Sequence, residues 1–188
     1  MPPTTESQGY AIAPDEGKAL WMLGGLFTVK ASRAQTNGGF SLIEFHQPPG
    51  TEPPLHTHQG EDEAFYVLDG EMSVVCGEQR LTAAPGAFVF LPRGVLHGFT
   101  IVGPKPLRGL VFTQPGGFDD FVAEMGEPAT TRTIPASGAP DVPKLLTVAR
   151  KYGIDLQLPS AGTPHRRTAL DRGSRDFRPG SPARRQPA

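Results

Sequence analysis

The chain has 188 residues, 37% of them apolar, which is enough for one domain with a core of its own. Its 23 glycines and 21 prolines favour short elements joined by turns over long helices. A single cysteine, Cys76, excludes an internal disulfide framework, and a formal net charge of -1 gives no basic body for nucleic acid. The charge is unevenly spread: from Pro159 onward there are seven arginines against two aspartates, so the remainder is acidic. No apolar run approaches the roughly 18 to 20 residues that span a bilayer, and no basic start leads into a cleavable apolar segment. A cytoplasmic protein that binds neither membrane nor nucleic acid is the expectation.

Residues 1–18 read as a flexible N-terminal arm rich in Pro, Thr, Gly and charge. A domain over 19–158 follows, and 159–188 reads as a disordered basic tail. Within the domain, `LWMLGGLFTVKA` and `GGFSLIEFH` are strand candidates. The runs `EAFYVLD`, `GEMSVVCG`, `EQRLTAAPG`, `GAFVFLP`, `HGFTIVG` and `LRGLVFTQ` come next, separated by Gly- and Pro-containing turns. Asp69-Gly70 between two such runs is a hairpin signal. This punctuation predicts an antiparallel all-β sandwich or barrel. Two helices are expected only afterwards, over 117–126 and 139–153, with `YGIDLQLP` as a last extended piece.

The stretch `PGTEPPLHTHQGEDEAFYVLDG` holds the chemistry. His56 and His58 are two apart, so on an extended backbone their imidazoles leave the same face. Glu63 follows within a few residues, and His97 opens the strand candidate `HGFTI`. If those strands pair, three imidazoles and one carboxylate can surround one ion; the alternative is a solvated loop. Such ligands accept divalent Fe, Ni, Mn, Co, Cu or Zn. A closed structural zinc site would normally take four ligands and recruit cysteine, but Cys76 lies elsewhere, inside an apolar run that reads as a buried, inert thiol. His46 reads as structural and His165 as solvated.

Two segments carry a family resemblance. `GTEPPLHTHQGEDEAFYVLDG`, Gly50 to Gly70, resembles the first cupin motif, and `GAFVFLPRGVLHGFT`, Gly86 to Thr100, resembles the second. One departure is Ile101, where cupins often carry asparagine. The resemblance implies a double-stranded β-helix, a jelly-roll barrel, with His56, His58, Glu63 and His97 as metal ligands. `EDEAFYVLDG` and the later `FTQPGGFDDFVAEMGEPA` are similar to bacterial quercetinase-like dioxygenases. This implies an enolic or flavonol-like substrate and dioxygen as partners, with Glu63 taking the substrate proton; the expected apolar wall suits a planar, apolar compound with an enol or acid group. The same first shell serves metal-dependent isomerases, lyases and decarboxylases, and non-catalytic binding cupins. With Glu63 inward, Phe65 and Val67 share its face; with His97 inward, Phe99 and Ile101 do so. These four are the candidate pocket wall, although core packing alone would also place them inside. Tyr66 is expected on the opposite face and Arg93 toward solvent. The resemblance also implies a homodimer, an expectation to which the need to cover edge strands gives a physical basis.

Overall fold

The computed structural model describes residues 9–136 and 139–158. Residues 1–8 of the expected arm, and the expected tail with His165, lie outside them. Strands β1 (Lys18–Met22) and β2 (Gly25–Ala31) divide what reads in sequence as one apolar run. Leu23 and Gly24 make the turn between them, with φ of 48° and 75°. Two-residue hairpin loops need such left-handed values because only they match the strand twist. A leucine adopts this conformation at a cost of about 1–2 kcal/mol.

The chain continues through β3 (Ser41–Gln47), β4 (His56–His58), β5 (Asp62–Asp69), β6 (Met72–Cys76) and β7 (Gln79–Ala83). Next come β8 (Phe88–Leu91), β9 (His97–Ile101), β10 (Leu107–Gln114), α1 (Phe118–Met125) and β11 (Glu127–Pro128). Helix α2 (Val142–Lys151) and β12 (Ile154–Leu156) end the described chain. Among the described residues, no helix is long and apolar enough to cross a membrane.

The expectation of an all-β jelly-roll barrel is overturned. The strands form a seven-stranded sheet, β11-β1-β2-β3-β10-β5-β8, and a five-stranded sheet, β12-β4-β9-β6-β7, and neither closes on itself or curls strongly. With two helices, the result is a mixed α/β, cupin-like fold. The edge strands that closure would join, β11 and β8 of one sheet and β12 and β7 of the other, do not pair with one another. β4, three residues long after Pro53-Pro54, pairs with β9 through His56 opposite His97.

The Asp69-Gly70 hairpin is also corrected, since β5 and β6 belong to different sheets and the turn is a corner between them. Glycine is required there because φ is 83° and a Cβ would stand 2.9 Å from the Pro106 carbonyl oxygen.

Alternation explains the core. Along β3, Ser41, Ile43, Phe45 and Gln47 face in while Leu42, Glu44 and His46 face out. From the other sheet, Met72, Val74 and Cys76 of β6 face the interior. Each large apolar side chain so buried contributes roughly 1.5–3 kcal/mol. Helix α1 buries Phe121, Val122 and Met125, and α2 buries Leu145, Val148 and Ala149. Asp141 caps α2 by accepting from the Lys144 backbone N–H at 3.0 Å. The helices are joined to each other by Lys144 Nζ, which donates to the Met125 carbonyl at 2.8 Å, and by Tyr152 Oη, which donates to Glu124.

Candidate metal centre

Four side chains converge where β4, β5 and β9 approach. One ligand atom from each of His56, His58, Glu63 and His97 lies within 4.8 Å of the others, and all four residues are buried. The alternation within `HTH` puts both β4 histidines inward, with Thr57 half-exposed between them. His97 arrives through direct pairing with His56, and their ring centroids are 4.7 Å apart. The loop before His97 is fixed to β4 by Gly94, whose N–H donates to the His58 carbonyl at 2.8 Å. Glu63 enters from the other sheet near the start of β5.

The outer nitrogens define the tautomers. His56 Nδ1 donates to the Pro54 carbonyl at 2.8 Å and His97 Nδ1 to the Val95 carbonyl at 2.9 Å. His58 Nδ1 donates to Glu61 Oε2 at 3.2 Å. Because these oxygens only accept, the proton of each neutral ring sits on Nδ1 and the Nε2 lone pair points into the cluster. His58 Nε2, His97 Nε2 and Glu63 Oε2 have no hydrogen-bond partner and are fully buried. Lone pairs from several groups facing one another repel, and a divalent cation among them resolves that repulsion. The donor set, three imidazoles and one carboxylate, therefore fits a late divalent metal. Glu61 orients His58 from outside the cluster, a role the sequence reading missed. Its spacing of three from His58 was the available signal.

Electrostatics sharpen this assignment in the metal-free protein. Burial pushes the Glu63 carboxyl up, but contact with His97 and the attraction of the surrounding histidines in their protonated forms outweigh it, so its pKa lies below the ordinary value. Glu63 is therefore ionised near neutrality. Burial is the main cause lowering His56 to about 4, while Glu63 opposes it. His58 goes the other way: burial lowers it, but the hydrogen bond to Glu61 and the two carboxylate charges together raise it above 6.5.

An apolar pocket of about 60 Å³ opens onto the cluster. Phe65 and Phe99 line it; Val67 and Ile101 are buried but stand in the core beyond it. The Ile101 N–H instead donates to Glu52 at 2.8 Å. Sequence reasoning missed the walls from elsewhere in the chain, namely Leu23, Phe118, Leu145 and Leu156. Tyr66 lies on the outer face, 43% exposed. Arg93 pairs with Asp62 at 2.7 Å and does not enter the pocket. Cys76 is a free, buried thiol. His46 is half-buried on the outer face of β3.

Residues 43–113 match the cupin-domain family model, and that segment carries all four residues of the three-histidine, one-glutamate cluster. The chain's similarity to quercetinase-like members is weak. Quercetin 2,3-dioxygenase of Bacillus subtilis is 28% identical over 121 residues, 63% of this chain and 35% of that protein. The match thus spans about a third of that relative's length. Among solved structures, KdgF from Halomonas sp. aligns with a TM-score of 0.51 at 19% identity, covering 60% of this chain and 99% of its own. A predicted oxalate decarboxylase from Thermotoga maritima aligns with a TM-score of 0.50 at 24% identity, covering 56% of this chain and 99% of its own. These two likenesses bear on the fold.

Proposed function

We propose that the protein is a metal-dependent dioxygenase acting on an enolic substrate. The observation that carries this reading is Glu63: a buried carboxylate within the ligand cluster, with no hydrogen-bond partner for Oε2 among the described residues and a pocket in front of it. His56, His58, Glu63 and His97 would hold a divalent Fe, Ni, Mn, Co, Cu or Zn ion. That ion would stabilise the charge of an enolate and, if redox-active, offer an electron path to dioxygen. Glu63 accepts the enol proton at Oε2. The aromatic walls exclude water and orient the flat face of the substrate, and the Nδ1 hydrogen bonds keep the three imidazoles from turning. Similarity to Bacillus subtilis quercetin 2,3-dioxygenase supports oxygen chemistry.

An isomerase, lyase or decarboxylase with the same first shell needs no oxygen. Sugar acids and dicarboxylates would call for cationic groups, and among the described residues no Lys or Arg lines the pocket. The test is dioxygen uptake by metal-loaded protein with a hydroxy-enone substrate, against Glu63→Gln and a metal-stripped control. Uptake that needs both the metal and Glu63 is the expected result; turnover that persists without dioxygen would refute the dioxygenase reading.

We propose also that the protein is a homodimer, paired through the outer face at β8. That strand ends its sheet, and Phe88, Phe90 and Tyr66 are 67%, 53% and 43% exposed on one surface. At ~200 Å² per aromatic side chain, these three present roughly 300 Å² of apolar area. A typical monomer's largest apolar patch is of that order, so the support for pairing here comes from its place on the open edge strand β8.

A further inference from the structure

The pocket has two kinds of wall. Its floor and sides come from strands within residues 43–113: Phe45, Phe65, Phe99 and Val111 beside the cluster. Its rim comes from outside that segment, with Leu23 from the β1–β2 turn, Phe118 from α1, Leu145 from α2 and Leu156 from β12. Strand β12 reaches the site by pairing with the histidine strand itself, Leu156 opposite His56 and Ile154 opposite His58.

Three facts bear on what the rim admits. The free space is about 60 Å³, whereas a cavity that holds benzene measures about 150 Å³. Among the described residues no lysine or arginine lines the pocket and its one carboxylate is Glu63, so beyond the ion itself no cationic side chain would hold the second charge of a dianionic acid. Leu23 occupies a left-handed turn position, φ 48°, where glycine or asparagine is the easy choice. A strained residue whose side chain lies against a binding pocket points to a role for that side chain. Leu23, Phe118 and Leu156 are only half-buried, whereas Phe45, Phe65 and Val111 of the side walls are buried in the core.

We infer that Leu23 and Leu156, with Leu145 behind them, form a size-selecting rim that admits a single-ring, uncharged or mono-ionisable enolone to the metal and rejects a three-ring flavonol. The inference rests on the metal-centre reading. One ring enters when the half-buried leucines rotate; three rings would require β12 to leave β4. Specificity is thus set by segments outside the family-matched core.

The test uses the full-length protein loaded with cobalt(II), whose visible absorption reports a new oxygen ligand, kept free of dioxygen so that turnover plays no part. Cobalt content is measured first. The probes are maltol, a one-ring hydroxy-pyranone, and quercetin, which carries the same hydroxy-enone on three rings. Wild-type protein should bind maltol at least tenfold more tightly than quercetin. Leu23→Gly, which relieves the turn as it opens the rim, and Leu156→Ala should each shift that ratio at least tenfold toward quercetin. Equal affinities in the wild type, a ratio unmoved in both variants, or cobalt-loaded protein that answers to neither probe would overturn the rim. Failure to take up cobalt at all would instead overturn the metal centre, and the rim with it.

Discussion

Glu61 offers the sharpest probe of the metal centre, because it is the one orienting acceptor that mutation can remove. His56 and His97 lean on backbone carbonyls, of Pro54 and Val95, whereas His58 Nδ1 leans on the Glu61 carboxylate at 3.2 Å. Removing such a partner typically weakens metal binding 10- to 100-fold, or about 1.4–2.7 kcal/mol. Glu61→Ala should fall in that range at pH 8, and Glu61→Gln, which keeps an acceptor oxygen but loses the charge, should fall below it. The pH dependence has a definite sign. Glu61 raises the His58 pKa above 6.5, so in the wild type protons compete with metal as pH falls through that raised value. Without Glu61 that competition weakens, and the deficit of Glu61→Ala should shrink at pH 6 relative to pH 8. Competition against a chromophoric chelator at both pH values measures this. Wild-type affinity in Glu61→Ala, or a deficit that grows on acidification, refutes the account of His58.

Other outcomes follow from the same geometry. His56→Ala and His58→Ala should lose most bound metal while keeping the wild-type far-ultraviolet circular dichroism, whereas Glu63→Gln should retain more metal than either; full stoichiometric metal in both histidine variants would sink the assignment. A chelator should lower the melting temperature, since ligand at 100 times its Kd stabilises the folded state by about 2.7 kcal/mol, and readdition of metal should restore it. In metal-free protein His56 has a folded pKa of about 4 against 6.5, so between those values the unfolded chain binds more protons and stability falls as pH falls. Urea midpoints at pH 7 and pH 4.5 should show that loss, and His56→Gln should reduce its slope; an unaltered slope would remove His56 as its source. Phe90→Glu should convert a wild-type dimer to monomer in sedimentation velocity, and a monomeric wild type would discard the β8 interface.

The cluster was legible in sequence because it obeys short-range rules. His56 and His58 share a face by strand alternation, and Glu63 begins a strand whose inward positions are apolar. His97 required a pairing between distant strands, which the family resemblance implied and β4–β9 shows. What was not legible is long-range. Whether the chain turns at Asp69-Gly70 within one sheet or between two depends on the strands that lie beyond β5 and β6, and the dipeptide is the same in both cases. Closure into a barrel depends likewise on whether the edge strands β11 and β8 meet β12 and β7, which no local signal encodes. `LWMLGG` hid a turn because Leu23 occupies a position where the usual turn residues are absent. The pocket rim was invisible because `YGIDLQLP` carries no chemistry of its own, and its pairing with β4 depends on α2 bringing the chain back.

That pairing bears on when the site can come into being. β4 contacts β9 at one residue pair but β12 at three. During synthesis His56, His58, Glu63 and His97 all precede residues 154–156, so the strand that carries two of them has its main brace only after nearly all of the described domain has been made. The hold on two of the imidazoles therefore depends on the C-terminal strand. By linkage the dependence runs both ways: an ion captured by β4 tightens its hold on β12, so occupancy of the centre should be registered as slower amide hydrogen exchange in the C-terminal strand.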